Sequence, residues 1–154
     1  MNLKDIREEY GLNQSEVASI LGVTRSTYSV WEIESNFIPL PRLITFCNYF
    51  NCSLDYALGL STIRNYPNMK KDVDFTIHRL RLKNIRKEYH YTQDYLASRM
   101  HTNNGVISRY EHGKTLILTS FLIEYAKIFN ISADYLMGRI DEAITINVPT
   151  LIFF

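Results

Sequence analysis

Shifted against itself by 79 positions, the chain falls into register without a gap. Leu3-Lys4 then meets Leu82-Lys83, Ile6-Arg7 meets Ile85-Arg86, and Glu9-Tyr10 meets Glu88-Tyr89. The register persists through Gln14/Gln93, Ala18-Ser19/Ala97-Ser98, Glu32/Glu111, Leu43-Ile44/Leu122-Ile123, Phe50-Asn51/Phe129-Asn130 and Asp55-Tyr56/Asp134-Tyr135 to Gly59/Gly138. Chance does not hold one register that long. The repeat predicts two homologous domains, residues 1–60 and 79–140, with a linker over 61–78 and a tail over 141–154. The linker contains the turn-like run Asn65-Tyr66-Pro67-Asn68. Its 18 residues could span at most about 60 Å if fully extended.

Within each copy the apolar residues recur at helical spacing, and small or polar residues punctuate them, which predicts five short helices per domain. Leu3, Ile6 and Tyr10 share one face of the first helix, and Gly11 can end it in the left-handed conformation. Asn13 is placed to cap the second helix, with Glu16 three residues on completing a capping box and Gly22 closing it. Thr24 caps a third helix. Leu43, Ile44, Cys47 and Phe50 mark the fourth, and Ser53 caps a fifth ending at Gly59. No segment before the tail reads as a strand.

Two short helices can cross at a steep angle only if a small residue sits at the crossing and the turn tolerates positive φ. Ala18 and Gly22 meet both demands. In the second copy Ala97 takes the first role, but His101 stands where glycine is expected, a residue that reaches this conformation less easily. The third helix is then held by Val17, Leu21, Val23, Tyr28 and Trp31, leaving Arg25, Ser26, Thr27, Ser29 and Val30 outward. In the second copy Leu96, Met100, Ile107 and Tyr110 face inward, and Asn104, Gly105, Ser108 and Arg109 outward.

The strings LNQSEVASILGVTRSTYSVWE and YTQDYLASRMHTNNGVISRYEHGK resemble the helix-turn-helix of the Xre family, which includes the lambdoid phage repressors and Cro proteins. The similarity runs on to the fifth-helix endings SLDYALG and SADYLMG and covers about four fifths of the chain. It implies an all-α fold class: two tandem five-helix phage-repressor-like helix-turn-helix domains with a short apolar C-terminal tail. It also implies that the third helix of each domain enters the DNA major groove. The family's base-contacting positions fall on Arg25 and Ser26, on Asn104 and Gly105, and one turn on, at Val30 and Arg109. The glutamine opening the second helix is Gln14 in one copy and Gln93 in the other, where it can clamp a phosphate or reach a base edge.

Arginine matches guanine O6/N7 and asparagine matches adenine N6/N7, so Arg25, Asn104 and Arg109 are the readout candidates. Thr27, Ser29 and Ser108 complete the outer face. Thr24 and Asn103 are primarily N-caps, with DNA contact secondary. Arg7 with Glu32, and Arg86 with Glu111, match a salt bridge by which the family ties its first helix to the recognition helix. These pairs are expected to be structural.

Charge separates the copies. Residues 1–60 carry 4 Lys/Arg against 7 Asp/Glu, and residues 79–139 carry 10 against 5, although the whole chain is at +1. After its third helix the second copy reads His112-Gly113-Lys114-Thr115, a small basic loop suited to phosphates. The first copy reads Ile33-Glu34-Ser35-Asn36-Phe37-Ile38, with a carboxylate for the turn glycine and Phe37 and Ile38 expected to be exposed. The second domain is therefore expected to dominate DNA binding. The first is either a second reader through Arg25 or a pairing surface.

No Gly-rich phosphate loop, metal spacing or catalytic arrangement stands clear of the core pattern, so neither an enzyme nor a cofactor or metal is expected. Cys47 and Cys52 read as buried free thiols. No apolar run has the length of a membrane span or signal peptide, so a cytoplasmic protein is expected; the resemblance implies a bacterial or mobile-element regulator. The expected partners are double-stranded operator DNA and a second copy of the chain, with a protein partner as the alternative through domain 1 or the tail. Phe75 and Ile77 are expected to pack on the second domain behind a cap at Asp74. The apolar end of the tail, from Ala143 to Phe154, fits docking on its own domain, an arm for a second chain, or disorder.

Overall fold

The computed structural model describes residues 1–146. The described residues form ten helices and no strand. The first domain holds α1 (Leu3–Glu9), α2 (Gln14–Leu21), α3 (Arg25–Glu32), α4 (Leu40–Tyr49) and α5 (Leu54–Ala57). The second holds α6 (Phe75–Glu88), α7 (Gln93–Arg99), α8 (Asn104–Glu111), α9 (Thr119–Phe129) and α10 (Ala133–Leu136). The fold class is all-α, two tandem five-helix helix-turn-helix domains.

The 79-residue offset is written into the backbone as well as the sequence. From the second helix of each domain onward, every helix begins at equivalent positions. Positive φ recurs at the same offset: Gly11/His90, Gly22/His101, Glu34/Gly113, Asn51/Asn130 and Gly59/Gly138. At the first three of these sites the residue differs between the copies while the turn geometry is kept. Glycine enters the left-handed region freely, whereas His101, at φ 54°, carries a Cβ into it.

Polar caps start the helices where the sequence puts them. The Asn13 side chain accepts from the Glu16 amide at 2.8 Å, and the Asn13 amide donates to the Glu16 carboxylate at 3.2 Å. Thr24, Ser53, Asp74, Thr92, Asn103 and Ser132 each accept from an amide in the first turn of the helix they precede. Each domain closes on its own core, with Leu3, Ile6, Val17, Leu21, Tyr28, Leu43, Phe46 and Phe50 buried in the first. The second buries Leu82, Leu96, Ile107, Leu122, Tyr125, Ala126 and Leu136. Cys47 and Cys52 are buried and free of disulfide.

Residues 61–78 do not form a free tether. The chain divides between Met69 and Lys70, and each side of this boundary is tied into its own unit. On the first side the Ser53 amide donates to the Arg64 carbonyl at 2.6 Å, and the Tyr66 hydroxyl donates to Asp55 at 2.7 Å. Arg64 lies over the Tyr56 ring at 4.6 Å and pairs with Glu9. On the second side the Lys70 amide donates to the Arg139 carbonyl, and the Asp74 amide to the Met137 carbonyl.

The first helix of the second domain is 14 residues long against 7 in the first, because Asp74 starts α6 well before the position equivalent to Leu3. The added turns bury His78, whose Nδ1 donates to the Leu136 carbonyl at 2.7 Å. Arg81 lies over the Tyr135 ring at 4.0 Å and donates to the carbonyls of Tyr135 and Ile140. Phe75 does not pack as expected. It is 51% exposed, whereas His78, one turn further on, is buried and bonded to the Leu136 carbonyl of α10. In the tail the Ile144 carbonyl accepts from the Ser132 amide at 2.8 Å and Ile146 is buried; residues 147–154 lie outside the described residues.

Candidate nucleic-acid interface

The crossing of the second and third helices is built identically in the two domains. Ala18 and Ala97 are buried at the crossing, and their carbonyls accept from the amides of Val23 and Thr102 at 3.0 and 2.9 Å. These bonds close the turn through Gly22 or His101 and aim the third helix outward.

A buried ion pair fixes that aim. Arg7 Nη2 lies 2.9 Å from Glu32, and Arg86 Nη2 lies 2.7 Å from Glu111. Each guanidinium also donates from Nη1 to a backbone carbonyl, Leu12 at 2.9 Å and Tyr91 at 2.8 Å, so the first helix, the turn after it and the recognition helix are held together. In the second domain the Gln93 side-chain amide joins the pair, donating to Glu111 at 3.0 Å. Gln93 is therefore partly engaged inside the fold, which sequence spacing did not indicate. A buried tyrosine faces each pair from a different helix, Tyr28 on α3 in one domain and Tyr125 on α9 in the other. Burial, reinforced by the glutamate charge, pushes both phenols far above their ordinary pKa, so both stay neutral.

On α3 the residues Arg25, Ser26 and Thr27 are exposed, while Ser29 and Val30 are half-buried. The Thr24 cap bonds its own turn, to the Thr27 amide at 3.2 Å and the Thr27 hydroxyl at 2.9 Å. Gln14 opens α2 half-buried. One residue missed from sequence joins this side: a Cβ added to Gly22 would lie 3.7 Å from Arg42 Nη1, so an arginine of α4 reaches the helix-turn-helix turn. Its position in the first turn of the fourth helix was readable; its direction was not.

On α8 the residues Asn103, Asn104 and Arg109 are exposed, with Gly105 and Ser108 half-buried. The Asn103 side chain accepts from the Val106 amide at 3.2 Å as the helix cap. A Cβ added to Gly105 would sit 3.1 Å from the Asn103 side-chain oxygen and 3.8 Å from Arg109 Nη1. Gly105 thus leaves a bare stretch of helix along which the Arg109 side chain reaches toward Asn103. Ser108 lies 3.3 Å from the ring of His112, whose Nδ1 donates to the Ser108 carbonyl at 2.7 Å. The sequence grouping on this face, Asn103, Asn104, Gly105, Ser108 and Arg109, occupies one outer surface of one helix.

The following loops differ in chemistry but not in path. Glu34 (φ 59°) and Gly113 (φ 68°) both take the left-handed conformation. Lys114 is exposed next to Gly113, and its amide donates to the Arg109 carbonyl at 3.0 Å. In the first domain the Met1 amine contacts the Glu34 carboxylate at 2.6 Å, which offsets part of the negative charge there. Of the two apolar residues expected to be exposed, Phe37 is 48% exposed, but Ile38 is fully buried in the core, as is its equivalent Ile117. Ile33 is the other exposed apolar residue, at 69%. Among the described residues no His/Cys/Asp/Glu cluster has the makings of a metal site, and no helix is long and apolar enough to cross a membrane.

A small crossing residue, a left-handed turn and a braced, polar outer helix define a helix-turn-helix protein. The family profile described as a helix-turn-helix domain matches residues 1–60 and again 80–142, and the chain belongs to that family. Among curated proteins it is 32% identical over 59 residues to YobD of Bacillus subtilis (strain 168), named an uncharacterized HTH-type transcriptional regulator. That match covers 38% of this chain and 53% of YobD. YqaE, named likewise and from the same strain, is 39% identical over 73 residues, covering 47% of this chain and 63% of its own length. The HTH-type transcriptional regulator ImmR, again from that strain, is 34% identical over 59 residues, covering 38% and 46%. The chain thus spans about half to somewhat under two thirds of these relatives' lengths. No solved structure matches the chain significantly.

Proposed function

We propose that this chain is a sequence-specific, double-stranded DNA-binding transcriptional regulator of the repressor kind, reading the major groove with α3 and α8. The observation that carries the reading is the outer face of α8, where Arg109 reaches along the bare backbone at Gly105 toward Asn103, with Lys114 exposed in the next loop. Arg109 and Arg25 read guanine and Asn104 reads adenine, each contributing roughly 1–3 kcal/mol of discrimination. Gln14, Thr24, Ser26, Thr27, Ser29, Gln93, Asn103, Gly105, Ser108 and Lys114 line the same two faces and supply phosphate contacts or close backbone approach. Arg42 adds a phosphate contact in the first domain. The second domain dominates, since its loop carries Gly113-Lys114 where the first carries Glu34-Ser35.

The readers stand at different positions of their helices: Arg25 opens α3, whereas Arg109 lies near the end of α8, opposite Val30 in the repeat. The two domains of one chain therefore read unlike half-sites, and pairing of two chains supplies any two-fold symmetry of the operator. Fluorescence-anisotropy titration of the intact chain with duplex DNA tests this. Salt-dependent binding, weakened more by Arg109→Ala than by Arg25→Ala, is the expected result; the reverse order contradicts the dominance of the second domain.

The exposed Ile33 and Phe37 flanking Glu34 support one rival, in which the first domain binds a protein partner in the manner of an antitoxin or inhibitor. Stoichiometric capture of one protein partner, lost in an Ile33→Ser/Phe37→Ser variant while duplex binding persists, would favour it for that domain.

A further inference from the structure

Arg79 lies outside the internal repeat, on the turns that lengthen α6 beyond its counterpart in the first domain. Its stem is seated on the loop that follows the recognition helix. A Cβ added to Gly113 would meet Arg79 Cδ at 3.2 Å and Nη1 at 4.0 Å. Gly113 thus serves twice: it reaches its φ of 68° without a Cβ penalty and leaves open the space beside the arginine stem. The guanidinium is carried to the edge of the loop beside exposed Lys114, and Lys83 lies one turn further along α6, also exposed.

Little in this part of the domain neutralises these cations. Glu111, the one carboxylate of α8, is buried against Arg86, and α6 itself holds a single acidic residue, Glu88, in its last turn. Among the described residues no carboxylate forms an ion pair with Arg79. An unpaired guanidinium, pre-positioned by packing and close to a cationic loop, is suited to a phosphate oxygen.

We propose that Arg79 is a phosphate-binding residue of the second domain, held by its packing across Gly113, which extends the DNA contact of α8 and its loop onto the first helix. The inference rests on the DNA-binding reading above. With a side chain at 113 the arginine stem would have to give way by a few tenths of an ångström.

The test compares the intact chain with Arg79→Met, which keeps the stem and removes the charge, Arg79→Lys, which keeps both, and Lys127→Met. Lys127 lies in the last turn of α9, whose C-terminal carbonyl at Phe129 bonds Tyr89 at the far end of α6. Binding to a random-sequence duplex is measured from 50 to 200 mM KCl. For Arg79→Met the slope of log K against log salt should shrink by about 0.9, so its deficit relative to wild type narrows roughly 3.5-fold across that range. Arg79→Lys and Lys127→Met should keep the wild-type slope. An unchanged slope in Arg79→Met, or an equal loss in Lys127→Met, overturns the proposal while DNA binding stands. Absence of salt-dependent binding by the wild type overturns both the proposal and the reading beneath it.

Discussion

At the scale of single residues, the arginine–glutamate pairs set the geometry on which function depends. Both are removed from solvent, the side chains of Arg86 and Glu111 being 9% and 1% exposed. Removing one partner of such a pair strands a buried charge and costs about 3–5 kcal/mol. Arg86→Met should therefore lower the stability of the second domain by that amount in urea denaturation, and a loss below about 1 kcal/mol would mean that Gln93 and water replace the guanidinium. His101 offers the opposite sign. Its left-handed backbone is strained by the Cβ, and His101→Gly should stabilise the domain by about 0.5–1 kcal/mol, whereas His101→Val should destabilise it. The pairs and the strained histidine were legible because the repeat exposes them: the same 25-residue spacing joins Arg to Glu twice, and His101 stands opposite Gly22. The tyrosines beside the pairs were not, since Tyr28 faces Ile107 in the repeat and Tyr125 faces Phe46. Each domain puts its phenol on a different helix, a compensation visible only once the helices are packed.

At the scale of elements, the caps made most helix starts readable, because an Asn, Ser, Thr or Asp side chain bonding a first-turn amide is a local event. Which apolar residue of a loop enters the core is not local. Between α3 and α4 the backbone path puts Ile38 inside and leaves Ile33 and Phe37 outside, although all three are large and apolar. The same difficulty hides the docking of α6. Its cap at Asp74 was legible, but the burial of His78 depends on the approach of α10. Burial lowers the His78 pKa below its ordinary 6.5, against a smaller opposing effect of its bond to the Leu136 carbonyl. In the interval between the folded and unfolded pKa values the unfolded chain holds a proton that the folded one does not, so stability rises with pH there. The contribution of His78 is complete above about pH 6.5 and is lost as the pH falls from there through the folded-state pKa. Urea denaturation followed from pH 7.5 down to about pH 5 should show this loss, and His78→Gln should flatten it; an identical pH profile in both proteins would remove His78 from the docking of α6.

At the scale of the whole molecule, one framework was duplicated and then specialised. The backbone was conserved to the level of individual left-handed residues, while the outward side chains diverged: Ser26 against Gly105, Val30 against Arg109, Glu34 against Gly113. Substitutions of that kind leave the core untouched and alter what each recognition helix can touch. The repeat therefore made the architecture legible, and the differences within it underlie the proposed functional asymmetry. The extent of the units was less legible, because residues 61–78 carry no repeat signal yet are tied into the two units by Ser53–Arg64 and Lys70–Arg139 backbone bonds.

Selection of bound sequences from a random duplex library, carried out in parallel with wild type, Arg25→Ala and Arg109→Ala, addresses the central claim most directly. The account predicts that wild type enriches a defined motif, that Arg109→Ala relaxes the preference at the position it reads and weakens binding by about 10- to 100-fold, and that Arg25→Ala relaxes a different position with a smaller loss. A motif and affinity unchanged by both substitutions, or no enriched motif at all, would contradict it.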